Sequence, residues 1–77
     1  MPVEPMTPAQ KLKVIIEKFG PQYISLRETC DAVSIEMANL VNRPLPWTWN
    51  YVHMVMNEKL EPGVPLIKAI EELYHRL

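Results

Sequence analysis

With a single cysteine, Cys30, the chain has no intramolecular disulfide and lacks the stapling expected of a small secreted domain. Its two glycines, Gly20 and Gly63, do not compose a phosphate-cradling loop, and neither HExxH nor a CxxC pair occurs. Apolar runs fall well short of the roughly 20 residues that span a bilayer. The start, Met1-Pro2-Val3-Glu4-Pro5, has no basic segment leading into an apolar one, as an export signal would. The expectation is a cytoplasmic protein without a membrane partner. A surplus of positive charge is also missing: eight Lys+Arg stand against nine Asp+Glu, a formal charge of −1. That excludes nucleic-acid binding driven by bulk charge, so any DNA contact must be local and geometric.

What is present is enough apolar material for one core. The 77 residues are 48% hydrophobic and 22% charged, far from the composition of a disordered chain. One helical domain over 1–77 is expected, with 1–6 as a flexible N-terminus. Domains of this size are marginally stable and gain from a partner that binds the native state, so a homodimer is expected.

Eight prolines divide the chain into helical segments. Thr7-Pro8-Ala9-Gln10 combines an N-cap, a first-turn proline and a capping-box glutamine. Leu12, Ile15, Ile16 and Phe19 follow as one face until Gly20-Pro21. Ser25-Leu26-Arg27-Glu28 is a second capping box, leading into Leu26, Cys30, Val33, Met37 and Leu40. Ser34-Ile35 leaves open whether 26–41 is one helix or two, and Asn42-Arg43-Pro44-Leu45-Pro46 predicts a loop. Residues 47–57 place Tyr51, Val52 and Val55 on one helical face and Asn50, His53 and Asn57 on another, with strand as the competitor because Trp, Tyr and Val favour sheets. Pro65 then opens a last helix with Leu66, Ile67, Ile70, Leu73, Tyr74 and Leu77 inward and Glu71 and Glu72 facing water. The architecture implied is all-α, a compact array of four or five short helices. Its expected core includes Leu26, Cys30, Val33, Ile70 and Leu73.

Chemistry for catalysis is sparse. His53 and His75 lie far apart, and with Cys30 they make a poor metal set; the thiol reads as a small apolar filler. No enzyme, cofactor or metal site is expected. Trp47 and Trp49 are spaced so that at most one enters the core while the other covers its edge. An alternative function draws on them: a protein-interaction module docking through Trp47, Trp49, Met54 and Met56.

Residues 47–73 contain Tyr51-Val52, then Asn57-Glu58-Lys59, then a proline-bearing loop and Leu66-Ile67-Lys68-Ala69-Ile70-Glu71-Glu72-Leu73. This stretch resembles the second half of the helix-turn-helix domain of phage Cro and repressor-type (lambda repressor-like) regulators. Two details differ. The family has glycine where Glu58 stands, leaving Asn57 as the candidate for the left-handed turn, and the insert 42–46 precedes Trp47. The resemblance implies a transcriptional regulator whose 47–57 helix enters the major groove of double-stranded DNA. Asn50, His53 and Asn57 would read bases, Thr48 would touch a phosphate or a thymine methyl, and Arg43 and Lys59 would clamp phosphates, helped by Lys11 or Lys13. A dimer would join through the apolar end Leu73, Tyr74 and Leu77.

Overall fold

The computed structural model describes residues 6–77; the rest of the stretch 1–6 lies outside the described residues. Four α-helices follow in order: α1 (Pro8–Phe19), α2 (Leu26–Leu40), α3 (Trp49–Met56) and α4 (Val64–His75), with a 3₁₀ turn at Gly20–Gln22 after α1. No strand occurs among the described residues, so the domain is all-α. Each of α3 and α4 packs on both α1 and α2.

The start of α1 is the full capping box: the Gln10 amide donates to Thr7 Oγ1 at 3.2 Å, and the Thr7 amide donates to Gln10 Oε1 at 3.0 Å. Leu12, Ile15 and Ile16 are buried and Phe19 packs at the core margin. At α2 the Ser25 hydroxyl accepts from the Glu28 amide, but Glu28 reaches past the cap to the Ile24 amide. Cys30, Val33 and Met37 are buried beside Leu12, Ile15, Val52, Val55, Leu66 and Ile70. Each such aliphatic side chain, fully buried, contributes about 1.5–3 kcal/mol.

Leu26 departs from expectation. It is 45% exposed, because as the first residue of α2 it sits beyond the reach of the neighbouring helices, while Thr29 takes the buried place one turn on. Thr29 stays satisfied there by donating to the Ser25 carbonyl. Glu71 also differs from its expected free, water-facing position: it accepts from Lys11 Nζ at 2.6 Å and ties α4 to α1.

α2 runs unbroken through Ser34-Ile35. Ser34 is fully buried, and its hydroxyl donates to the Trp47 carbonyl at 2.6 Å. A residue that reads as a weak point of the helix thus serves as the anchor for the loop that follows. Both α2 and α3 end in the same turn. Asn42 (φ 57°) lets the Arg43 amide reach the Ala38 carbonyl, and Glu58 (φ 60°) lets the Lys59 amide reach the Met54 carbonyl, each at 2.8 Å. The left-handed residue is therefore Glu58 and not Asn57, whose φ is −89°.

Candidate functional site

The segment 47–57 is helical only over Trp49–Met56, preceded by Thr48 as N-cap and followed by Asn57 as C-cap. At eight residues, α3 is too short to persist by itself and is shaped by its surroundings. Val52 and Val55 are fully buried and fix its rotation. Ser34 holds the Trp47 carbonyl just ahead of it, and the Tyr51 hydroxyl accepts from the Gly63 amide at 3.2 Å. These contacts turn Asn50 outward, where it is exposed.

The three expected base readers are not equivalent. His53 is half-buried, its ring 5.5 Å from that of Trp49, and Asn57 Nδ2 lies 3.1 Å from His53 Nε2. The amide donates when the imidazole carries its proton on Nδ1. Asn50 is a separate, outward group, whereas His53 and Asn57 act as a coupled pair. Thr48 is partly committed: its Oγ1 accepts from the Tyr51 amide, which leaves the hydroxyl proton and a second lone pair for a ligand.

Among the expected cations, Arg43 is held in place. Its Nε donates to the Leu45 carbonyl at 2.8 Å and its guanidinium lies 4.5 Å over the Trp47 ring. Lys59 is exposed just past the turn, next to Glu58, whose carboxylate is also exposed. Lys11 is taken by Glu71 and stacks over Tyr74, so it does not serve α3; Lys13 is exposed on α1. Sequence reasoning missed Arg27. From the first turn of α2 it lies 5.5 Å over the Trp49 ring. Nothing local in Ser25-Leu26-Arg27 signals this, since the pairing arises only when α2 packs beside α3. The two tryptophans both lie half-buried at the core margin, each beneath a guanidinium. Met54 and Met56 are likewise half-buried, so each of the four side chains expected for docking keeps part of its surface accessible.

Other candidates resolve into structure. Cys30 is buried in the core; burial, with a smaller contribution from Asp31, pushes its thiol above the ordinary value, away from nucleophilic thiolate chemistry. The apolar end of α4 is largely used within the chain. Leu73 is buried, Tyr74 packs on the core with its hydroxyl on Met6 Sδ, and only Leu77 stands open at 51% exposure. Among the described residues no group of three or more His, Cys, Asp or Glu is placed to hold a metal, and no helix is long and apolar enough to cross a membrane.

No protein-family model matches the chain, and neither does any curated protein sequence or solved structure.

Proposed function

We propose that this domain is a cytoplasmic transcriptional regulator that binds double-stranded DNA. In this reading α3 lies in the major groove, Asn50 faces a base edge, and Arg27, Arg43 and Lys59 face phosphates. One observation carries it: two guanidinium groups, Arg27 and Arg43, sit over Trp49 and Trp47 at the N-terminal end of α3, beside an outward Asn50. Two of the chain's eight lysine and arginine side chains meet there. Each guanidinium keeps terminal N–H groups for a phosphate while the ring beneath limits its freedom, which reduces the ordering cost of contact. Asparagine can donate and accept at once, as the N6/N7 edge of adenine requires. The His53–Asn57 pair presents a second reading group one to two turns further along α3. A short helix covers few base pairs, so the reading includes a two-fold dimer on paired half-sites.

Selection from a random duplex library at low salt tests this. Asn50→Ala should cost about 1–3 kcal/mol at one base position and leave the melting curve unchanged. Arg27→Ala and Arg43→Ala should weaken all duplexes alike and reduce the salt slope by about one unit each. Failure to enrich any sequence, with binding indifferent to all three substitutions, would remove the reading.

A further inference from the structure

Two adjoining hollows of about 420 and 260 Å3, sharing Arg43 and Pro65, form a groove between the loop 41–48 and the start of α4. Pro46, Trp47, Tyr51 and Pro65 supply rigid apolar walls. Its charged lining is Arg43 and Lys68, with no carboxylate. The groove is lined by Tyr51 and not by Asn50, and of the residues proposed to face DNA it shares only Arg43. Leu45 and Val64 stand exposed along its margins, at 70% and 66%. An occupant suited to it carries an apolar side chain between carboxylates and follows an extended, proline-bearing path.

The chain itself has such a segment. Glu58-Lys59-Leu60-Glu61-Pro62 projects between α3 and α4, with Glu58, Leu60 and Glu61 all exposed. Behind it, a hollow of about 430 Å3 separates Leu60 and Pro62 from Pro8 and Ile67, so the leucine is not absorbed by its own core. The loop cannot enter its own groove, because it runs directly into Gly63 and Pro65, which form the wall. Loop and groove therefore adjoin along the chain at Gly63, line separate hollows and are opposite in chemistry. A patch that is self-complementary in this way is satisfied by a two-fold axis, with each copy both donating a loop and receiving one.

We infer that the groove of one protomer receives the 58–62 loop of a second copy, Leu60 against Trp47 and Tyr51, with Glu61 meeting Lys68. Lys59, the loop's one cation, is left for phosphate. The interface stands independently of the DNA reading, since it forms without nucleic acid.

Sedimentation equilibrium near ~100 μM, without DNA, tests it on the wild type, Lys68→Glu, Glu61→Lys and the double variant. Both positions are exposed, so melting curves should show all four proteins folded. The wild type should dimerise, each single reversal should weaken the dimer about tenfold or more, and the double variant should recover to within about threefold of the wild type, because both contacts are restored with swapped sign. Three results would overturn the inference: a wild-type monomer, single variants that dimerise undiminished, or a double variant as weak as the two losses added. A monomer that instead bound an acidic, proline-containing peptide would assign the groove to another protein. Loss of dimerisation with DNA selection intact, or the reverse, separates this interface from the base-reading face.

Discussion

α1 and α4 are joined differently from α3. The first pair brings Leu12, Ile15, Ile16, Leu66, Ile70 and Leu73 into one core, with the Lys11–Glu71 pair at its edge. There the stabilisation is spread over many side chains of one kind. α3 contributes two buried valines, with Trp49, Tyr51 and Met56 packed at the core margin, and is oriented by single polar ties: Ser34 to the Trp47 carbonyl, Tyr51 to the Gly63 amide, and the two left-handed turns at Asn42 and Glu58. Apolar burial is non-directional and fixes that helices pack, whereas hydrogen bonds fix where a short helix points. The part of the molecule that presents the candidate site is the part set by individual contacts.

The largest effect expected is in the shared core. Ile70→Ala should cost about 2–5 kcal/mol, from lost burial and the cavity it leaves, and should shift the denaturant midpoint with unfolding still cooperative. An unchanged midpoint would mean that α4 is not the partner of α1. Next is Ser34→Ala, which leaves the Trp47 carbonyl without its donor and should cost about 1–3 kcal/mol. Its distinctive sign is local: hydrogen exchange should accelerate at α3 ahead of α1 and α4, and uniform acceleration would erase the contrast between the two regions. The smallest effect runs the other way. Glu58→Gly relieves a side chain held at φ 60° and should stabilise the protein by about 1 kcal/mol, read as a raised melting temperature. It also removes a carboxylate beside Lys59, so DNA affinity at low salt should rise. A destabilised Glu58→Gly would show that the glutamate makes a contact outweighing its backbone strain.

The seam between α1 and α4 was legible from spacing and caps. Thr7 and Gln10 close the box their order announces, and Leu12, Ile15, Leu66 and Ile70 are buried as their periodicity requires. Position within an element was less legible. Leu26 continues the stripe of α2 in sequence yet opens to solvent, because the stripe outruns the helices that cover it. Around α3 the sequence located the helix and its polar face but not the partners that orient it. Ser34 and Trp47 are separated by half of α2 and a loop, as Arg27 and Trp49 are by still more chain, and neither pairing leaves a local pattern to read. For Glu58 the rule was right and its application wrong: a left-handed residue was required, and the chain uses a glutamate where asparagine stood available one position earlier.

The Lys11–Glu71 pair joins residues 60 apart in sequence. During synthesis, α1, α2 and α3 leave the ribosome before Leu66, Ala69, Ile70 and Leu73, the side chains that close the core around them. Until those residues emerge, the nascent chain carries Leu12, Ile15 and Val33 without their cover, and loop closure brings no compensating burial. Folding of this domain therefore waits for α4, and the window in which a chaperone can hold it stays open until α4 has emerged.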